Sequence, residues 1–85
     1  MFYVYILEFH SDRSWYIGYS DNLKQRLQRH RNGEVISTKL RGAFHVMYYE
    51  GYRNKKDALG REQFLKSGNG RQLIKKQLRH YLADT

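Results

Sequence analysis

The chain opens with a segment, Phe2–Phe9, in which both alternating sets of side chains are apolar or aromatic. Successive side chains of a strand point to opposite faces, so this pattern predicts a central strand covered on both sides. A turn-rich stretch follows, and Trp15–Tyr19 predicts a second strand that forms a hairpin with the first. The segment Phe44–Glu50 has the same character and predicts a third strand.

Helical signals lie between the second and third strands. Ser20 or Asp21 is expected to cap a helix that runs to about Arg31. The pair Asn32-Gly33 is typical of a helix end, and residues 34–43 then predict a loop.

Two further helices are predicted after the third strand. Asn54 is expected to cap the first, which reaches about Ser67 and ends at Gly68. Asn69 or Gly70 begins the last helix, which collects large side chains on one face: Leu73, Ile74, Leu78, Tyr81 and Leu82. The order β-β-α-β-α-α indicates an α+β fold, a small three-stranded sheet flanked by helices.

Length and composition narrow the class of protein. The 85 residues suit one domain spanning residues 1–85, and the absence of cysteine excludes disulfide scaffolds and thiolate zinc sites. No apolar stretch approaches the roughly 20 residues of a membrane span, and the N-terminus lacks the features of a secretory signal. We therefore expect a cytoplasmic protein with no membrane partner.

The charge indicates the class of partner. The chain has 16 Lys and Arg against 8 Asp and Glu, a net charge of +8. Residues 1–20 carry one of those bases, so the excess lies in the rest of the chain. Such an excess attracts polyanions and favours nucleic acid over the alternative of a basic solvated surface.

Two polar residues are predicted on the apolar face of the first helix. Leu23 and Leu27 define that face, and Arg26 and His30 fall within it or at its edge. Burying a charge without a partner is unfavourable. Arg26 therefore indicates a structural ion pair or a site, and His30 indicates a core histidine or a site.

The second helix carries an acid in the equivalent position. Glu62 falls among Ala58 and Leu65 on the inner face, and Lys66 follows one turn later on the same side. The carboxylate is either an ion-pair partner, for which Arg26 is the obvious candidate, or a metal ligand.

Two tripeptides now identify a resemblance. Tyr3-Val4-Tyr5 is followed, eleven residues after Tyr5, by Tyr16-Ile17-Gly18. With the Arg and Glu on the two helices, the chain resembles the GIY-YIG nuclease superfamily over nearly its whole length. It is most similar to small free-standing members related to the nuclease domain of the bacterial excinuclease incision subunit.

The resemblance implies a metal-dependent DNA endonuclease, active in repair or recombination, that uses one Mg²⁺ or Mn²⁺ ion. It implies that Arg26 binds the scissile phosphate, that Glu62 binds the metal, and that Gly18 keeps the approach to substrate open. It adds three aromatic residues to the catalytic set: Tyr5, Tyr16 and His30. Tyr16 is the first choice for general base, with Tyr5 and His30 as rivals. Tyr48 and Tyr49 are expected to be mostly structural.

Three positions depart from the family pattern. Tyr3 replaces the glycine of the first tripeptide, and Tyr19 stands where relatives often have a lysine that could assist the base. Asn69 lies too close to Glu62 to match the family's downstream asparagine, so that role is not assigned here.

Basic residues in the loop and the later helices are the expected phosphate contacts: Lys39, Arg41, Lys66, Arg71, Lys75, Lys76 and Arg79. Such contacts carry no sequence information, and no reading module is attached. We expect structure-selective cutting of branched, flap or single-stranded DNA, or non-specific cutting, by a monomer or weak homodimer, with room for a targeting protein. The alternatives are a catalytically silent nucleic-acid-binding accessory module and a basic RNA-associated protein.

Overall fold

The computed structural model describes residues 1–84. Its elements are, in chain order, β1 Phe2–Phe9, β2 Trp15–Ser20, α1 Leu23–Arg31, β3 Phe44–Tyr52, α2 Lys55–Lys66, α3 Gly68–Gln77 and α4 Arg79–Ala83. The three strands form one antiparallel sheet in the order β2-β1-β3. The predicted α+β class is confirmed, as are the three strands and the first two helices. The predicted last helix is divided in two.

The central strand is covered on both faces, as its sequence predicts. Val4 and Ile6 point to one face, where they pack with side chains of α2 and α3: Ala58, Leu65 and Ile74. Tyr5 and Leu7 point to the other face and are also fully buried. α1 and the loop after it cover this second face.

The strand register places the two tripeptides side by side. Tyr5 lies between Gly18 on β2 and Tyr49 on β3. The pairing of β1 with β3 shifts between Ile6 and Leu7, so that Met47 has no partner across the strand. In the predicted hairpin, Tyr16 pairs with Leu7, so Tyr16 lies on the same face of the sheet as Tyr5 and Leu7.

The N-cap residues of the helices differ in part from those predicted. Asn22 caps α1, accepting from the backbone N–H of Gln25 at 3.2 Å. Ser20, one of the two predicted caps, instead forms the preceding turn, because its hydroxyl accepts from the N–H of Asn22. Asn54 caps α2, as predicted, accepting from the N–H of Lys56 at 2.8 Å.

Close packing of α2 against α3 sets the beginning of α3. Ser67 caps α3 by accepting from the N–H of Gly70 at 3.1 Å, so the helix begins before the predicted Asn69 or Gly70. A side chain on Gly70 would overlap the backbone of Phe64 and Leu65. Glycine is therefore required there by the close approach of the two helices.

The break after α3 falls at Leu78, whose backbone leaves helical geometry. α4 then carries Tyr81, whose hydroxyl donates to the buried carboxylate of Glu8 at 2.7 Å. This hydrogen bond joins the C-terminal helix to the central strand. Among residues 1–84, no helix is long and apolar enough to cross a membrane.

A partly buried polar group joins α2 to β3. Glu50 accepts hydrogen bonds from Tyr48 at 2.7 Å, Tyr52 at 2.9 Å and the Arg61 Nε at 2.6 Å. Burial opposes its ionisation, but these hydrogen bonds outweigh burial and hold the pKa of Glu50 below its ordinary value. Since Arg61 precedes Glu62, this group orients the part of α2 that carries the predicted metal ligand.

Candidate active site

Four of the predicted catalytic residues meet on the face of the sheet that α1 covers. We call them the central cluster: Tyr5 from β1, Tyr16 from β2, and Arg26 and His30 from α1. The ring centroids of Tyr5 and Tyr16 lie 6.3 Å apart, and the His30 ring lies 5.7 Å from the first and 5.2 Å from the second. Residues four apart on a helix share one side, which explains how α1 contributes two members.

A chain of hydrogen bonds runs through the cluster into the loop after α1. The hydroxyl of Thr38 donates to the carbonyl of Val35 at 3.4 Å and lies 2.8 Å from the Nδ1 of His30. The Nε2 of His30 lies 2.7 Å from the hydroxyl of Tyr5. One proton arrangement satisfies every link: His30 donates from Nδ1 to Thr38, and Tyr5 donates to Nε2.

Burial determines the protonation state of two candidate bases, His30 and Tyr5. Burial, followed by the charges of Arg26 and Arg29, lowers the pKa of His30 to about 4, so the ring is neutral at pH 7. Burial above all raises the pKa of Tyr5 to about 12, so its phenol keeps its proton. Both side chains are buried, and both nitrogens of His30 are engaged.

Arg26 is a charged side chain held by phenols. Its Nε donates to the hydroxyl of Tyr5 at 3.4 Å. This hydrogen bond makes the largest contribution to a raised pKa of Arg26, and a hydrogen bond with Tyr16 adds to it. Burial acts in the opposite direction. No ion pair within residues 1–84 joins Arg26 to a carboxylate, so the structural ion pair that its position could have indicated does not form.

Glu62 lies near the cluster from the side of α2. After burial, its negative charge is among the influences that raise the pKa of Tyr5. Its side chain is mostly buried and pairs with Lys66 at 3.2 Å, one turn along α2. The expected partner Arg26 is therefore replaced by Lys66, a residue predicted to contact phosphate. In the described part of the chain, no group of three or more metal-ligating side chains occurs.

Gly18 has a different reason for its lack of a side chain than the one predicted. It is buried opposite Tyr5, and a Cβ there would overlap the Tyr5 phenol ring. The space that glycine leaves is filled by Tyr5 rather than open to substrate. Gly18 therefore allows the buried position of Tyr5 from which the hydrogen-bond chain starts.

The predicted phosphate contacts are spread over the molecule. Lys39 lines a hollow of about 370 Å³ together with His30 and Arg31, beside the central cluster. Arg41 is held in place by the fold, because its Nη2 donates to Ser14 at 2.5 Å and its guanidinium covers the Phe9 ring at 3.9 Å.

The basic residues of α3 lie on the opposite face of the sheet from α1. Arg71 stacks on the ring of Trp15, with its guanidinium carbon 4.4 Å from the centroid. Lys75 and Lys76 are exposed on the same helix, and Arg79 donates to the carbonyl of Lys76. These side chains are separate from the central cluster.

The two adjacent tyrosines of β3 differ from each other. Tyr48 is half-buried and structural, as predicted, through its hydrogen bond to Glu50. Tyr49 is 58% exposed and borders a hollow of about 540 Å³ between α1 and the sheet, so the prediction that it is structural is wrong. Leu23 and Leu27 border the same hollow and are only half-buried.

Sequence reasoning missed Thr38. It lies in the predicted loop, is 4% exposed, and is the residue that orients His30. The only signal in the sequence was that Thr38 follows His30, a candidate site residue, by eight positions. That spacing alone indicates no contact, because a loop of unknown path separates the two.

Comparisons with known proteins agree with this arrangement. A family model described as the GIY-YIG catalytic domain matches residues 1–77. A UPF0213 protein of Pediococcus acidilactici is 35% identical over 77 residues, covering 87% of this chain and 78% of the relative. A UPF0213 protein of Clostridium perfringens is 40% identical over 67 residues, covering 78% of this chain and 71% of the relative.

A solved structure extends the similarity to the fold. The solution NMR structure of a UPF0213 protein from Bacillus halodurans matches with a TM-score of 0.57 and 31% identity, covering 91% of this chain and 85% of that one. The family model covers both tripeptides, the helix with Arg26 and the helix with Glu62. The chain belongs to the GIY-YIG family.

Proposed function

We propose that the protein is an endonuclease that hydrolyses DNA phosphodiester bonds with one Mg²⁺ or Mn²⁺ ion. One observation carries the proposal: a charged arginine, without a carboxylate partner in the described chain, is held against the phenols of Tyr5 and Tyr16. A half-buried arginine held by neutral phenols, with N–H groups left over, is suited to an incoming anion. A phosphodiester is the anion that the family membership suggests.

Arg26 would stabilise the charge that builds on the phosphoryl oxygens. Preorganised donors aimed at developing charge contribute most of their effect in the transition state. Its hydrogen bond to Tyr5 holds the guanidinium in place, while the remaining N–H groups can donate to phosphate.

Tyr16 would act as general base. Tyr5 is fully buried with its pKa raised to about 12, and His30 is neutral with both nitrogens engaged. Tyr16 is half-buried on the edge strand beside Arg26, and it is the one of the three candidates that is not fully buried. In the step, the deprotonated Tyr16 oxygen takes a proton from water, the water oxygen bonds to phosphorus, and the opposite P–O bond breaks. The leaving oxygen takes its proton from solvent.

Glu62 would hold the metal ion. Mg²⁺ is commonly bound by one or two carboxylates together with water and substrate phosphates, and a single glutamate near a phosphate-binding arginine fits this donor set. The ion pair with Lys66 involves one carboxylate oxygen of Glu62 and a half-exposed amine, so it is weak enough to exchange. When bound, the ion supplies positive charge to the phosphoryl group and the attacking water.

DNA is the proposed substrate because of charge. The net charge of +8 and the exposed Lys39, Lys75 and Lys76 favour a polyanion without reading its sequence. We therefore propose selection by DNA structure, or non-specific cutting, in a repair or recombination pathway.

The test is cleavage of end-labelled single-stranded, duplex, flap and three-way DNA with Mg²⁺, Mn²⁺ or EDTA. Wild type is compared with Glu62→Ala, Arg26→Ala and a matched surface variant, Lys55→Ala, at the exposed start of α2. We expect product with either metal from wild type and Lys55→Ala, and none with EDTA or from the other two variants. Circular dichroism confirms that each variant is folded.

Two results would contradict the proposal. Activity that survives Glu62→Ala would place the metal elsewhere or indicate a contaminant. Binding without product on any substrate would favour the catalytically silent accessory module.

A further inference from the structure

The loop after α1 has an inner and an outer side. We call residues 34–41 the site loop. Val35 and Thr38 point inward and are 7% and 4% exposed, whereas Ile36 and Leu40 are 86% and 91% exposed. Two large aliphatic side chains four residues apart, on a turn with Lys39 N–H bonded to Val35 C=O, share one side.

This outer pair is rigidly supported. The N–H groups of Thr38 and Lys39 both donate to the carbonyl of Val35, at 3.1 and 2.9 Å, and Arg41 N–H donates to Thr38 at 3.0 Å. The Thr38 hydroxyl contacts His30, and the Arg41 side chain bonds to Ser14 at the far end of the hairpin. The loop therefore holds the two exposed side chains in a fixed place relative to the central cluster.

Basic residues lie close to the apolar pair in the chain. Lys39 lies between Ile36 and Leu40 in sequence, and it lines the hollow beside the central cluster with Arg31. A second copy of this chain on the same patch would bring two molecules of charge +8 together, which is unfavourable. Cations near an aliphatic wedge instead match nucleic acid, whose phosphates are anionic and whose base steps accept inserted apolar side chains.

We propose that Ile36 and Leu40 form a wedge that enters the base stack of DNA beside the scissile phosphate. The proposal rests on the proposed function, since it names the form of DNA that the site selects. Inserting side chains requires that two base pairs unstack, and this is least unfavourable where stacking is already interrupted. The wedge therefore predicts selection of flaps, branches and nicks over continuous duplex.

The test measures binding and unstacking without cleavage, in EDTA. A fluorescent three-way junction and a continuous duplex of the same sequence each carry 2-aminopurine at the junction position, whose emission rises on unstacking. Wild type is compared with the double variant Ile36→Ser, Leu40→Ser and with Leu73→Ser, an exposed leucine on α3. Thermal unfolding checks that the exposed substitutions leave the fold intact.

We expect wild type and Leu73→Ser to bind the junction about tenfold more tightly than duplex and to raise the 2-aminopurine emission. The double variant should lose this preference and the rise in emission while keeping its affinity for duplex. Lys39→Gln should weaken binding to both DNAs alike and lower the salt dependence by about one counterion.

Equal junction preference and emission in the double variant would overturn the wedge. A wild-type dimer in analytical ultracentrifugation that the double variant dissociates would also overturn it, since the pair would then be an interface between copies. Metal-dependent cleavage separates the two proposals. If the double variant cleaves DNA and raises the emission as wild type does, only the wedge is contradicted. If wild type cleaves no DNA, the nuclease proposal is contradicted.

Discussion

The two faces of the sheet are built on opposite principles. Val4 and Ile6 face an apolar core closed by α2 and α3, where burial and close packing supply the stability. Tyr5 lies between these two residues in sequence and points to the other face. There it contacts a hydrogen-bonded histidine and an arginine from α1. Of the α1 side chains, only His30 is buried. One face is therefore suited to holding the fold, and the other holds polar groups in a set arrangement at some expense in packing.

This comparison separates stability from activity. A change in the core face should lower the free energy of unfolding and leave cleavage per folded molecule nearly unchanged. A change in the polar face should lower the cleavage rate per folded molecule, whatever it does to the free energy of unfolding. The free energy of unfolding and the cleavage rate are measured independently, so this expectation can be tested for one residue at a time.

Among changes on the polar face, the largest effect is expected from Arg26→Lys. Lysine keeps the charge but loses the fork of N–H donors that can bond Tyr5 and phosphate together. We expect the single-turnover cleavage rate to fall about a thousandfold, with the free energy of unfolding within about 1 kcal/mol of wild type. Rapid-quench kinetics and urea unfolding measure the two. A rate within tenfold of wild type would mean that the guanidinium is not at the reacting phosphate.

On the core face, Ile74→Ala should lower the free energy of unfolding. Ile74 is 1% exposed in the core between α3 and the sheet. Removing its buried methyl and methylene groups should lower the free energy of unfolding by about 3 kcal/mol. Cleavage at saturating DNA, corrected for the folded fraction, should stay within about twofold. A large specific loss of activity would show that the faces are coupled.

The polar face should make the protein sensitive to acid. In the unfolded chain His30 takes up a proton below its ordinary pKa of 6.5, whereas in the fold the pKa is about 4. The unfolded state therefore binds more protons between these values, and stability falls as the pH drops through this window. The loss can reach about 3 kcal/mol. Urea titrations from pH 7.5 to 4 should show it.

His30→Gln provides the control for this pH dependence. Glutamine cannot titrate, so the variant should lose less stability than wild type over the same pH range, whatever its starting value. Parallel curves for the two proteins would indicate that other groups, such as Glu50, account for the acid sensitivity.

The smallest effect is expected from Thr38→Val. Valine keeps the shape but removes the hydroxyl, so the Nδ1–H of His30 loses its acceptor and the ring can adopt the other tautomer. We expect a loss of about 1 kcal/mol and about a tenfold lower cleavage rate. Long-range ¹H–¹⁵N NMR should assign Nδ1–H in wild type and a mixture in the variant, and Thr38→Ser should restore wild-type behaviour. Unchanged spectra would rule out the positioning role.

The strands could be predicted because their patterns are local. Phe2–Phe9 shows its burial in its own composition, and Asn54 caps α2 by contacts within a few residues. Phe44–Glu50 was predicted as a strand of the same character, but β3 is an edge strand without a fully buried side chain. The break at Leu78 could not be predicted. The apolar face continues through it, and α4 is held by the distant contact between Tyr81 and Glu8.

The site was predictable in its members but not in its connections. Helix periodicity placed Arg26 and His30 together, whereas the direction of each hydrogen bond depends on how the loop folds back. The packing contacts of Gly18 and Arg41 could not be predicted for the same reason. Each meets a partner, Tyr5 and Phe9 respectively, that only the tertiary fold brings near.

The most direct test of the account is the single-turnover cleavage rate of Glu62→Gln beside that of Ile74→Ala, on one flap substrate with saturating Mg²⁺. Glutamine preserves the size of the side chain and removes the charge that would hold the metal. The account predicts a rate at least about a thousandfold below wild type for Glu62→Gln, with a wild-type free energy of unfolding. The core variant should show the opposite pair of results. A Glu62→Gln rate close to that of wild type would contradict the assignment of Glu62 as the metal ligand.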